Sequence, residues 1–507
     1  MNVKEIRKLG RSLSRFLGEF ADCYGRCDTR AYLRIYVSGQ MSDLQRKSAE
    51  PMALRAGVPP RSLQAFLGLL EWDEDRLVDR LQWIVSRDHA NPWAIGIIDE
   101  TSSPKDGHHT ACTQRQWCGS LGKIENCVVS VHVGYTVGDF HCVLDSDLFV
   151  PKSWANDPAK RAEVGMPGNV IHRSKAQIAQ EQIRRALGNG IRVAAWTFDE
   201  HYGQSYAFLD SLDGLGQTYV AEVPCTFCGW AKEPAVLYRS TPQEMRPGGP
   251  TRKGPRLAKT AASVSEVRDL LRHSPAFTGQ VWTPIHIKDG EKGPIVREVK
   301  AVRFFMRREG LPTRPHWLIV TRDPQRRKEI KFFVSNAAPG SPLEWLVHVA
   351  YSRWPIEQCF REEKDELGFD HFEVRGWQSI HRHLYLSQVS HLFLNKMRER
   401  LVAEESAEQK AEPAAHFFPP HRRRYGIGQD RGRCATRAAA GESDGRADPV
   451  RCFAMAPGFA VRFGRRADRS GRRGDGDPLS PPSQHHCEGL PYANQKAGAT
   501  QLGNRCR

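Results

Sequence analysis

Two short apolar runs, each stopping at an acid, constrain this chain more than anything else in it. WAIGIID (93–99) and IRVAAWTFDE (191–200) read as strands buried in a sheet, with Asp99 and Asp199 marking where each emerges at the sheet edge. The segments around them fit the same sheet. NCVVSVHVGYTV (126–137) and FHCVLDSDLFV (140–150) alternate or run apolar, and Gly138-Asp139 between them is a hairpin signal. HRSKAQIAQEQIRRALGNG (172–190) is an amphipathic helix closed by glycine, and a shorter helix (203–213) and the strand QTYVAEV (217–223) follow the second acid. Three hairpin-ordered strands followed by alternating helices and strands predict an α/β (α+β) mixed sheet flanked by helices, the element order of the RNase H-like fold.

The remaining segments attach to that sheet. Residues 1–90 are expected to be a helical domain. Within it Ala49–Ala56, the turn GVPP and a helix capped by Ser62 form either a DNA-binding helix-turn-helix or an ordinary helical hairpin. The sheet domain begins at 91 and pauses at 223. Residues 224–340 are richer in Gly, Pro, Lys and Arg and read as a β-rich insertion, with strands such as AVRFFMRR (301–308) and a hairpin from HWLIVTRD (316–323) and EIKFFVSN (329–336). Residues 341–403 return to the sheet domain with two helices. The first of these lies in YSRWPIEQCFREEKDELGFD, starting at Trp354-Pro355 and stopping at Gly368. Ile356, Phe360 and Leu367 form its buried stripe, and Glu357, Arg361 and Lys364 a second one. By itself this is an amphipathic helix with a solvated charged face.

In an RNase H-like sheet the first and fourth strands are adjacent, so Asp99 and Asp199 are expected side by side with Glu357 facing them. Three carboxylates in one place repel unless cations bind. Oxygen-only donors suit Mg²⁺ or Mn²⁺. Two such ions about 3.5–4 Å apart activate an attacking water or 3′-hydroxyl and stabilise the leaving oxygen of a phosphoryl displacement. Taken singly, Asp99 and Asp199 are better read as caps of the turn or helix that follows, and it is their joint arrangement with Glu357 that favours the metal site.

A net charge of +16 and a pI near 9.4 suit a polyanionic partner, nucleic acid or an anionic membrane surface. No apolar run is long enough to span a membrane and the N-terminus has no apolar h-region, so a cytoplasmic, nucleoid-associated location is expected. The thirteen cysteines include one C-x2-C, Cys225 and Cys228, with no second pair at finger spacing, so no cysteine-held zinc is expected. No phosphate-loop motif or Ser/His/Asp pairing stands out.

IIDET, WTFDEHYG and YSRWPIEQCFREEKDELGFDHFEVRGW together resemble the DDE transposases of bacterial insertion sequences. The last stretch resembles the Y-x2-R-x3-E-x6-K signature of the insertion-sequence-four-like group. Arg353, Glu357 and Lys364 keep its spacing, whereas Tyr351 stands one residue too close to Arg353. CGSLGKIENCVVSV (118–131) is similar to the segment leading into the second strand of that group. The likeness spans about residues 30–400. It implies that Asp99, Asp199 and Glu357 ligate two Mg²⁺ ions (or Mn²⁺), that Arg353, Lys364 and Tyr351 contact phosphates of the element's end, and that Lys123 and Asn126 touch the DNA backbone. Lys105, in the loop after the first acid, is a further contact candidate, while Trp196 and Trp354 read as core. The implied partner is double-stranded DNA, the terminal inverted repeats and the target, bound by a dimer. A nuclease without strand transfer would use the same acids, and a catalytically defective relic that binds ends and inhibits transposition is the third reading.

The tail, 404–507, has a different composition: residues 411–507 hold sixteen Arg and one Lys. It is expected to be disordered, and the switch to arginine-only usage is what translation of a shifted reading frame in GC-rich DNA would give.

Overall fold

The computed structural model describes residues 3–238, 255–290 and 293–411. The chain divides after Phe417 into two units, and everything below belongs to the first. The arginine-rich tail and its suspected change of frame lie beyond 411, outside the described residues.

Five helices come first: α1 (Val3–Gly18), α2 (Cys27–Gln40), α3 (Ala49–Arg55), α4 (Pro60–Gly68) and α5 (Glu74–Asp88). α4 begins at Pro60, whose missing N–H falls where the helix has no partner for it, so Ser62 lies inside the first turn and is not the expected cap. Asp73 caps α5 by accepting from the Arg76 amide at 2.9 Å.

The sheet follows with β1 (Ile95–Pro104), β2 (Gln114–Cys118), β3 (Lys123–Val137) and β4 (Phe140–Leu148). After two short helices, α6 (Lys152–Ala155) and α7 (Pro158–Glu163), comes α8 (Lys175–Gly188), opened by a Ser174/Gln177 capping box. Then β5 (Ala195–Phe198), α9 (Glu200–Gly203), α10 (Tyr206–Gly214) and β6 (Tyr219–Val223) complete the core, in which β3 lies antiparallel to β1 and β4 while β1, β5 and β6 run parallel. This is the expected RNase H-like order. β2 was not expected; it pairs with the first stretch of β3.

Alternation along the strands sorts side chains to two faces. Trp196, Phe198 and Ile98 face a core built with α8, whereas Ile95, Ile97 and Ala195 pack against the helices that arrive last. Asp99 has the parity of Ile95 and Ile97, so it belongs to the second face.

The insertion does not stand apart from this sheet. It supplies β7 (Cys228–Trp230), the small pair β8 (Val236–Leu237) and β9 (Arg256–Leu257), β10 (Ser265–Glu266), the helices α11 (Val267–His273) and α12 (Pro275–Thr278), then β11 (Thr283–Gly290), β12 (Gly293–Arg308), β13 (Leu311–Arg322) and β14 (Ile330–Ser335). β14 pairs antiparallel with β6, and β13, β12, β7 and β10 continue outward, so one twelve-stranded sheet runs through core and insertion.

Three helices close the described chain: α13 (Leu343–Tyr351), α14 (Trp354–Leu367) and α15 (Trp377–Ala411), the last continuing past the expected end near Ala403. α14 stops where Gly368 adopts φ +69° and the amides of Gly368 and Phe369 turn back to the carbonyls of Lys364 and Glu363. Arg382 of α15 is buried; it donates to the carbonyls of Leu70 (2.7 Å) and Trp72 (3.3 Å), and pairs with Glu74. It thereby ties the helical region to the helix that covers β4. Among the described residues no helix is long and apolar enough to cross a membrane.

Candidate active site

Register brings the first two acids together. Ile98 lies opposite Phe198 in the parallel β1–β5 pair, so the next residue on each strand, Asp99 and Asp199, is carried to the same end. The strands then part. β5 ends, as expected, and Asp199 caps α9, its Oδ1 accepting from His201 at 3.0 Å and Tyr202 at 3.4 Å. β1, by contrast, does not end at Asp99. It runs on to Pro104 because β3 pairs with it throughout, so Asp99 sits mid-strand at the point where its parallel neighbour stops. α9 presses on β6 closely enough that a Cβ at position 203 would lie 1.9 Å from the Glu222 carbonyl oxygen, which only glycine tolerates.

Glu357 comes from the first turn of α14, whose Ile356 and Phe360 are buried in the same face as Ile97. Asp99, Glu100, Asp199, Glu357, Lys364 and Trp117 line one cleft of about 370 Å³. The Arg353 guanidinium spans Asp99 Oδ2 and Glu357 Oε1. The Asp99 carboxyl is raised to about 7, chiefly by burial, with Asp199 and Glu357 adding to the rise and Arg353 opposing it. Asp199 is raised as well, chiefly by burial, again with Arg353 opposing. Burial works against the Arg353 charge, but Asp99, Glu357 and Asp199 outweigh it and hold its pKa above the ordinary value.

The Lys364 ammonium donates to Thr101 Oγ1 (2.8 Å) and the Ser102 carbonyl (3.2 Å), fixing α14 across β1 with its charge at the cleft. Burial lowers its pKa. The other anticipated contacts are not in the cleft wall. The Tyr351 hydroxyl hydrogen-bonds Thr321 Oγ1 at 2.7 Å, and its ring packs near Phe333. Lys123 is exposed and paired with Glu125 at 3.1 Å. Asn126 is buried, and its amide nitrogen donates at 2.7 Å to the carbonyls of Lys105 and Gly107, holding the loop after β1. Lys105 is also turned inward, donating to the Phe372 carbonyl at 2.9 Å. Trp196 is core, as expected. Trp354 is not: it opens α14 on the surface, 45% exposed, with the Lys288 ammonium 4.3 Å from its ring centroid.

Sequence reasoning missed Glu100 and Trp117. Glu100 is paired with Lys175 and accepts from the Tyr202 hydroxyl at 3.3 Å. Trp117 stands exposed on β2 at the lip of the cleft, and the alternation of QRQWC was its available signal.

The donor set fits hard divalent cations. Three carboxylates converge with no histidine or cysteine among them, and their mutual repulsion is only partly relieved by one guanidinium. Asp99, Asp199 and Glu357 are the residues that would hold such ions.

A sequence model of the DDE superfamily endonucleases matches residues 19–294. The probable transposase for insertion sequence element IS701 of Microchaete diplosiphon is 29% identical over 216 residues, which is 41% of this chain and 54% of that protein. The chain thus spans about half the length of that curated relative. The family match includes Asp99 and Asp199 and stops before Glu357, which the fold itself brings to them. The chain belongs to the DDE superfamily endonucleases.

Proposed function

We propose that the protein is a transposase, cutting and joining DNA at the ends of an insertion sequence with Mg²⁺ or Mn²⁺ held by Asp99, Asp199 and Glu357. The observation that carries this reading is the convergence of those carboxylates from β1, β5 and α14 on one cleft. The printed name of the relative, a probable transposase, points the same way.

Bound divalent ions would activate the attacking water or 3′-hydroxyl and polarise the phosphate. The chain's own groups do the rest. Arg353, at the mouth of α14, holds Asp99 and Glu357 at a common spacing and offers a guanidinium to a phosphate that displaces it. Lys364, anchored on β1, presents its charge along the wall where the scissile strand would lie. The excess of basic residues draws DNA to the surface. The nucleophile is water or a DNA hydroxyl, so no covalent protein intermediate is needed. Two ends must be brought together, which calls for a dimer on DNA.

The test is cleavage of a plasmid carrying the element's ends in Mg²⁺ or Mn²⁺, wild type beside Glu357→Gln. Nicks at the ends and joined products, both absent in the glutamine variant, are the expected result. Cleavage without joined product would leave a nuclease. End binding without cleavage would leave the relic.

A further inference from the structure

The face of α14 opposite Glu357 carries a second constellation that the phosphoryl-transfer chemistry does not use. His141 on β4, Cys359 on α14 and His391 on α15 are all buried, and one donor atom from each lies within 4.8 Å of the others. Glu362 Oε2 accepts from both imidazoles, at 3.1 Å from His141 Nε2 and 2.9 Å from His391 Nε2, and Asn395 Nδ2 sits 3.0 Å from the latter. One turn on from Cys359, Glu363 is 0% exposed, and neither of its carboxylate oxygens has a hydrogen-bond partner. His391 Nδ1 also lacks one, and it lies 3.8 Å from Glu363 Oε1.

A dry carboxylate facing a dry imidazole nitrogen is costly unless something positive stands between them. The candidates are a proton, which burial favours by pushing Glu363 up to about 8, and a metal ion. The company decides between them. Two imidazoles, a thiol and a carboxylate are a donor set for Zn²⁺ and a poor one for Mg²⁺. Zinc–ligand distances of about 2.0–2.3 Å require donors closer together than they now are, so binding requires these side chains to rotate inward.

We propose that His141, Cys359 and His391, completed by Glu363, form a structural Zn²⁺ site that staples β4, α14 and α15 together. His391 then binds through its unpartnered Nδ1 while Glu362 holds its Nε2 from outside, and His141, whose Nε2 faces Glu362 and whose Nδ1 lies 3.2 Å from the Asp139 carbonyl, exchanges one of those two contacts for the ion. Spacing along the chain concealed the site, because its ligands come from three distant elements and include a single cysteine. Its consequence for the cleft is positional: Cys359 is two residues from Glu357, so the ion fixes the helix that presents the third acid.

The experiment uses the full chain with Asp99→Asn and Glu357→Gln, so that the acidic cleft takes no ion. The expected result is one zinc per chain after gel filtration. Co²⁺ exchange should then give tetrahedral visible bands with a thiolate-to-cobalt charge-transfer band in the near ultraviolet. Cys359→Ser should abolish that band and Glu363→Gln should alter the visible bands, while Cys225→Ser should change neither. A folded Asp99→Asn/Glu357→Gln background with no zinc and no charge-transfer band overturns the proposal and leaves Glu363 as a protonated acid. A band that survives Cys359→Ser overturns it too. Should Cys359→Ser not fold, the background protein's stoichiometry and band, with the Glu363→Gln spectrum, still decide.

Discussion

Asp99→Asn should make the metal-free protein more stable as it removes the chemistry. Asp99 is 8% exposed, and its carboxyl titrates near 7 against an ordinary 3.8, with the favourable pull of Arg353 already included in that value. Between pH 3.8 and 7 the native state therefore holds a proton that the unfolded chain releases, so stability contributed at this position falls as pH rises through that window. At ~1.4 kcal/mol per tenfold change in proton affinity, ionised Asp99 costs roughly 4 kcal/mol above pH 8. Asparagine keeps the shape and the oxygen that accepts from the Glu100 amide at 2.8 Å, and it carries no charge to bury. Urea midpoints in EDTA at pH 4, 7 and 8.5 test this. The two proteins should coincide near pH 4, and the variant should lead by about 2–4 kcal/mol at pH 8.5. Other buried acids, Asp145 and Glu363 among them, are common to both proteins and cancel. Excess Mg²⁺ should then rescue the wild type by about 2.7 kcal/mol at a hundredfold over its Kd, and the variant hardly at all. Parallel pH profiles, or equal rescue, would refute the reasoning that burial and mutual repulsion hold these acids ready for cations.

Arg382→Met removes the donors to Leu70 and Trp72 and leaves buried carbonyls unpaired, so the urea midpoint should drop by the equivalent of about 3–5 kcal/mol; a loss under about 1 kcal/mol would mean that α15 is not clamped through this residue. Gly203→Ala drives a Cβ onto the Glu222 carbonyl and should cost about 1–3 kcal/mol in the same assay, with α9 and Asp199 displaced enough to depress end cleavage. Lys364→Met keeps the stem and deletes the charge. DNA binding should weaken evenly across sequences with a salt slope smaller by about one, and an unchanged slope would place the scissile phosphate elsewhere.

Much of the fold was legible because burial writes itself into short apolar runs. The strand that ends at Asp199, the hairpin at Gly138 and the stop at Gly368 each follow from a local rule and stand where expected, and the strand through Asp99 starts as expected but runs on past the acid. The parity of Ile95, Ile97 and Asp99 even fixes which face the first acid takes. What stayed hidden was decided by pairing partners at a distance. Nothing near Asp99 says that β3 will hold β1 in register to Pro104, or that β14 will dock on β6 and merge the insertion with the core. The inward turn of Asn126 and Lys105 depends on a loop and on Phe372, 267 residues beyond Lys105. Trp354 misled because an aromatic at a helix start is ordinarily buried, and here Lys288 on β11 shelters it.

That merged sheet must still end somewhere, and a long open strand edge invites another chain to zip onto it. The insertion strands outward of β6 finish in β10, two residues long, while the longer flank on β12 is β11, which carries Pro284, Lys288 and a bulge between His286 and Lys288. Each blunts an edge: the proline lacks a donor, the lysine resists desolvation, and the bulge twists the strand out of line. The insertion thus guards β6 against self-association. Deleting it to obtain a minimal catalytic core would uncover the flat flank of that parallel strand, and aggregation is the result to anticipate.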